Sequence, residues 1–313
     1  MTSGERPQRI HRYLTAVADS ERWDQFTPRA GDIIVATAPK WGTTWTQMIC
    51  ALIVHQSPSL PQPLTRLSRW LDRLSQPIDE VIADLDAQPF RRIIKTHTPL
   101  DGLPWFAEAS YVICGRDPRD AFLSMQDHLA NTSAQTMAEA LERAGLPADF
   151  RFPDDPDVRF EQWMTVPANP WEEDGFPSGS ATHFANTYWA FRRLPNLFFL
   201  HYGDLMTDLA GDMRRLSAFL DIPVSERLWP TLVEAAGFNA MKANAAAAAP
   251  GAHLGEWRSN ADFFRMARMG QWREGLSAQS QALYEHLSAE RLAPPLKAWL
   301  EGGHAAAGDP KNA

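Results

Sequence analysis

The stretch that decides the fold is Ile33 to Val54, IIVATAPKWGTTWTQMICALIV. It opens with the apolar run Ile33-Ile34-Val35-Ala36, turns at Pro39-Lys40-Trp41-Gly42, and continues from Thr43 with bulky residues at helical spacing. The spacing predicts strand, loop and helix in succession. A glycine-containing loop that feeds a helix start aims unpaired backbone N–H groups at one point, and the helix dipole adds positive potential there. Lys40 would add a point charge, and Thr43 and Thr44 two hydroxyl donors. The plain structural alternative is a helix whose first turn is capped by Thr43 or Thr44, with Lys40 merely solvated.

Working outward, the loop lacks the G-x-x-x-x-G-K-[ST] spacing of a Walker A sequence, so it does not suggest a magnesium-dependent triphosphatase. The whole chain has 313 residues, 44% hydrophobic and 22% charged, values of an ordinary globular protein. A net charge of −8 and a pI near 5.6 argue against a general nucleic-acid binder, so any phosphate site must be local. Cys50 and Cys114 sit inside apolar runs and read as reduced core residues; no spacing suits zinc. The N-terminus lacks the apolar stretch of a signal peptide, and no apolar run reaches the roughly 20 residues of a membrane span, so a cytoplasmic enzyme is expected.

Three further apolar runs follow. Ile93-Ile94-Lys95-Thr96 leads into His97, a residue whose ordinary pKa suits it to act as a base. Tyr111-Val112-Ile113-Cys114 leads into Gly115-Arg116-Asp117-Pro118 and then a helix that carries Ser124, so that Arg116 and Ser124 can converge on one anion. Leu197-Phe198-Phe199-Leu200 leads into His201-Tyr202. With helices between them, these runs predict an α/β fold with a central, mainly parallel sheet flanked by helices, and ligands in such sheets lie beyond the carboxyl ends of the strands. Residues 64–88 carry Leu67, Trp70, Leu71 and Leu74 at helical spacing, broken at Pro77. Residues 131–180, rich in proline, acids and aromatics, read as loops and short helices forming a lid or acceptor-side insertion in one domain spanning 1–300. Ala245 to Ala249 reads as a mobile loop, and 301–313 as a flexible tail.

The strings P-K-x-G-T-T-W from Pro39, K-T-H-x-P from Lys95, R-D-P-R-D-x-x-x-S from Arg116 and F-R-x-x-x-x-G-x-W from Phe264 occur in the order found in the cytosolic-type sulfotransferases, which this chain resembles from about residue 30 to 275. The resemblance implies a P-loop-like fold. It also implies metal-free, in-line transfer of a sulfonate from 3′-phosphoadenosine 5′-phosphosulfate to an acceptor hydroxyl. Under it, His97 takes the acceptor proton, Lys40 stabilises the leaving oxygen and Lys95 is a second cation. Gly42, Thr43 and Thr44 cradle the 5′-phosphate, while Trp45, Tyr202 and Phe238 lie near the adenine. Arg116, Ser124 and Arg265 hold the 3′-phosphate. In the last string Met266, Ala267 and Gln271 depart from the family pattern, and Arg268 is a replacement cation beside Gly270. The span around IIKTHTPLDGL is similar to bacterial, mycobacterial-type members acting on glycolipids, which implies a small-molecule or lipid-like hydroxyl acceptor. Two alternatives stand beside this reading: a P-loop-like nucleotide kinase or phosphotransferase, and a catalytically degenerate nucleotide-binding protein.

Overall fold

The computed structural model describes residues 6–264 and 268–313. Its centre is β1 (Ile33–Ala36), whose four side chains are all fully buried. β1 pairs with β3 (Ile93–Thr96) on one side and with β4 (Ser110–Gly115) on the other; β2 (Ser68–Trp70) and β5 (Leu197–His201) form the edges. The order is β2-β3-β1-β4-β5 and every pairing is parallel. Parallel strands need covering on both faces, which explains the unbroken apolar runs. Alternate residues serve the two cores: Ile34 and Ala36 join Trp41, Tyr111 and Trp299 on one face, whereas Ile33 and Val35 join Ile49, Val112 and Trp229 on the other.

The register decides where the chemistry emerges. Ala36 lies opposite Thr96 and Ile113, so β1, β3 and β4 deliver their following residues to one edge of the sheet. Helix α1 (Thr43–His55) follows β1 and packs into the second core with Ile49, Cys50 and Leu52 fully buried. β4 can end where it does because residue 115 is glycine: a Cβ there would lie 2.3 Å from the ring of Trp299.

Three expectations change. Residues 64–88 do not form helical stripes throughout: a single turn at Leu64–Leu67 gives way to edge strand β2, and the helix proper is Ile78–Asp86. The tertiary contact wins over local spacing, since β2 gains the open edge of β3 and Gln47 Nε2 donates to Ser68 Oγ at 2.9 Å. Ala245–Ala248 is a helical turn, with Ala245, Ala248 and Ala249 buried, because methyl side chains allow close packing. The 301–313 stretch continues the helix Pro294–Ala307 and ends in a turn at Pro310–Asn312, where Arg193 Nη2 donates to the Ala313 carbonyl at 3.0 Å. Residues 131–180 contain two ten-residue helices, Ala134–Arg143 and Pro156–Thr165. No helix among the described residues is long and apolar enough to cross a membrane.

Candidate active site

The loop after β1 is shaped by two residues in the left-handed region, Lys40 at φ 67° and Gly42 at φ 89°. Gly42 is required twice over, by its φ and by space, since a Cβ would lie 2.9 Å from Tyr202 Cδ2. Gly42 is also the N-cap of α1, and neither Thr43 nor Thr44 occupies the capping position; among the described residues no side-chain cap bond forms there. The capping alternative is therefore not what the chain adopts. Thr43 Oγ1 instead shares a 2.5 Å hydrogen bond with Thr37 Oγ1, and the amides of the first turn are left for an anion.

Arg116 holds the loop from below. Its Nη1 donates to the Lys40 carbonyl at 3.0 Å, its guanidinium lies 4.4 Å over the Tyr202 ring, and its buried Nε has no partner among the described residues. A buried guanidinium N–H without a partner beside a helix start is a donor set that fits an anionic oxygen. Lys40 Nζ sits 3.4 Å from His128 Nδ1 and 4.9 Å over the Phe263 ring. Burial first, and then the Arg116 charge, bring the Lys40 pKa down to about 8. Trp45, with Nε1 donating to the Ala236 carbonyl at 2.9 Å, meets Tyr202 edge to face at 5.3 Å.

His97 stands at the neighbouring strand tip. Its Nδ1 lies 2.7 Å from the Thr37 carbonyl, which can only accept, so Nδ1 carries the proton and Nε2 keeps a lone pair. Trp70, at the end of β2, covers both His97 (4.9 Å, edge to face) and Lys95 (Nζ 3.9 Å over the ring). Burial, followed by Lys95, holds His97 well below its ordinary pKa, and burial followed by Arg73 brings Lys95 to about 7. Just after β2, the Asp72 carboxylate accepts from Thr96 and Thr98 hydroxyls at 2.5 and 2.8 Å, which pins the two residues flanking His97.

One cavity of about 390 Å³ joins these groups. Lys40, Gly42, Thr43, Thr44 and Trp45 line it from the loop and α1, Lys95 and His97 from β3, and Arg116, Ser124, Tyr202 and Phe238 from the remaining elements. Two candidates fall elsewhere. The Gly270 amide is taken by Asp120 Oδ2 at 2.6 Å, and Asp120 Oδ1 also accepts from Trp272 N. The Arg268 side chain is 54% exposed and paired with Glu274 at 3.3 Å, and its carbonyl accepts from Arg116 Nη2 at 3.5 Å. Arg265, Met266 and Ala267 lie outside the described residues. Reading the sequence also missed cavity residues. His128 lies four positions beyond Ser124 on the same helix, a spacing that puts both on one face. Tyr13, Arg73, Asn169, Glu172 and Glu256 carry no motif at all.

A parallel α/β sheet with an anion loop on its central strand and a neutral imidazole on the adjacent tip defines a group-transfer protein of the P-loop-like class. A model of the sulfotransferase domain matches residues 30–293, and the chain belongs to the sulfotransferase family. It is 39% identical to the glycolipid sulfotransferase of Mycobacterium bovis over 93% of this chain and 94% of that one, and equally so to the glycolipid sulfotransferase of Mycobacterium tuberculosis. Among solved structures, retinol dehydratase in complex with androsterone and inactive cofactor PAP superposes with a TM-score of 0.69 at 20% identity, over 88% of this chain and 87% of that one, a likeness of fold. Membership of the family sets aside the kinase reading.

Proposed function

We propose that this protein transfers a sulfonate group from 3′-phosphoadenosine 5′-phosphosulfate to a hydroxyl of a hydrophobic, glycolipid-type acceptor. The observation that carries the proposal is one cavity lined both by the Lys40–Thr44 loop and by His97, whose Nδ1 is engaged by the Thr37 carbonyl, leaving Nε2 as the acceptor nitrogen. Gly42, Thr43 and Thr44 hold the 5′-phosphate at the start of α1; Arg116, with its unpaired Nε, and Ser124 hold the 3′-phosphate; Trp45, Tyr202 and Phe238 enclose the base. The 39% identity to glycolipid sulfotransferases supports the acceptor class.

The acceptor oxygen attacks sulfur as the bond from sulfur to the 5′-phosphate oxygen breaks. The acceptor proton passes to His97 Nε2, and the electron pair stays on the departing phosphate oxygen, where Lys40 and Lys95 offset its charge. A neutral His97 is ready for that proton at physiological pH, because burial disfavours its imidazolium. Residues 131–180 serve as the acceptor-side wall.

Incubation with radiolabelled phosphosulfate donor and a panel of phenols, alcohols and glycolipids tests the reading. Transfer to at least one acceptor and binding of adenosine 3′,5′-bisphosphate are expected. Absence of transfer, with binding of ATP but not of the bisphosphate, would overturn it and favour the degenerate nucleotide-binding protein.

A further inference from the structure

The acceptor side of the cavity has two chemically different walls. Helix Ala134–Arg143 turns Met137, Ala140 and Leu141 into it, and Ala144 continues the i, i+3, i+4, i+7 stripe. The far end of this apolar wall is tied to the N-terminal segment, where Arg143 Nε donates to the Ala16 carbonyl at 2.7 Å. Beside that tie the rim is itself apolar: Val17 lines the cavity while 41% exposed, and Leu14 is 54% exposed.

The second wall is polar and begins next to His97. Thr98 and the Tyr13 ring close together over Gly102, and Tyr13 meets Trp171 edge to face at 5.4 Å. There Glu172, only 5% exposed, lines the cavity with Asn169 and Ser180. Glu172 Oε2 accepts from Asn169 Nδ2 at 2.7 Å and Oε1 from the Ser180 amide at 3.1 Å. A carboxylate has about four acceptor positions, so about two remain for a ligand.

We infer that this wall is a saccharide subsite, in which Glu172 and Asn169 receive sugar hydroxyls while the acceptor's alkyl chain runs along Met137, Leu141 and Ala144 and leaves over Val17. The inference rests on the sulfonate-transfer reading and names its acceptor more closely. A phenol or simple alcohol has one hydroxyl, which His97 takes; the ligand would then cover Glu172 without filling the acceptor positions that Asn169 and Ser180 leave open, a costly outcome. A sugar supplies one hydroxyl to the base and others to the carboxylate. The apolar stripe, in turn, has a use only for a ligand with a chain.

The test uses the full chain with hexyl, octyl and decyl β-glucosides below their micelle concentrations and 2-naphthol as the sugarless acceptor. For the wild-type protein KM falls about threefold to fourfold per methylene added. Glu172→Gln, close to isosteric, raises KM for octyl glucoside about tenfold or more and leaves that for 2-naphthol within about twofold. Leu141→Ala flattens the chain-length dependence. Binding of adenosine 3′,5′-bisphosphate, measured by calorimetry, is unchanged in both variants, which separates a lost contact from a lost fold. Equal effects of Glu172→Gln on glucoside and naphthol, or no turnover of any glucoside, would overturn the subsite. Failure of the wild-type protein to bind the bisphosphate would instead overturn the sulfonate-transfer reading itself.

Discussion

Replacing Lys95 by methionine should remove most of the protons that the protein takes up when adenosine 3′,5′-bisphosphate binds. In the free protein Lys40 is half-buried and Lys95 buried, with pKa values brought to about 8 and about 7, chiefly by desolvation and then by Arg116 and Arg73 respectively. A bound phosphate favours their charged forms and raises both values. The complex therefore binds more protons than the free protein, and affinity must fall as pH rises through the free-protein values. If both ammonium groups become fully charged, uptake at about pH 7.5 is about one proton, roughly three quarters of it from Lys95. Between about pH 7 and pH 8.5 the dissociation constant of the wild-type protein rises about 60-fold, and that of Lys95→Met about fourfold, as Lys40 alone titrates. Calorimetry in two buffers of different ionisation enthalpy counts the protons directly. A wild-type uptake near zero at about pH 7.5, with a flat dissociation constant up to about pH 8.5, would refute the reasoning. An unchanged proton count in Lys95→Met would show that Lys95 does not feel the donor.

His97→Ala should abolish turnover while leaving bisphosphate binding within a few-fold; near-normal turnover would mean that another group is the base. Arg116→Ala should weaken bisphosphate binding about tenfold or more, since it removes a charged donor aimed at the anion, and unchanged affinity in titration would take Arg116 out of the site. His128→Phe keeps a ring against Trp257 but removes the nitrogen that accepts from Lys40, so turnover should fall about fivefold and its alkaline limb move to lower pH, with His128→Gln restoring both; equal profiles in a pH series would refute this. Asp32→Ala leaves Arg92, 1% exposed, without its buried carboxylate partner and should cost about 3–5 kcal/mol in urea unfolding; a loss below about 1 kcal/mol would show that Asp86 and the Thr27 carbonyl suffice.

The parts of the site that could be read from the sequence are those in which one short segment does everything. The Pro39–Trp45 loop, His97 after Lys95, and Arg116 with Ser124 each declare themselves by strand, turn and helix in sequence, and the cavity brings all of them together. What was not legible depends on partners distant in the chain. Tyr13 lines the cavity because its hydroxyl is held by Asp101, 88 positions away. Glu172 and Asn169 sit in a proline-broken stretch without period, where no spacing marks the residues that face inward. For Arg268 and Gly270 a motif match places the residues in order but does not tell that Glu274 and Asp120 engage their donors.

The missed strand β2 matters more to the chemistry than its three residues suggest. In the parallel register Trp70 lies opposite Lys95, and His97, two residues on, falls on the same side of β3. One indole can therefore cover both groups, at 3.9 and 4.9 Å, and it removes water from each. Loss of water lowers both pKa values, yet the consequences differ. Held well below its ordinary pKa, the imidazole is neutral at physiological pH, while the lysine, at about 7, is only partly charged there. Asp72, two residues after Trp70, fixes the hydroxyls on either side of His97, whose Nδ1 meets the Thr37 carbonyl at 2.7 Å. His97 and Lys95 thus owe part of their desolvation to an edge strand whose helical spacing of Leu67, Trp70, Leu71 and Leu74 conceals it, since the open edge of β3 that selects the extended form is not written in that segment.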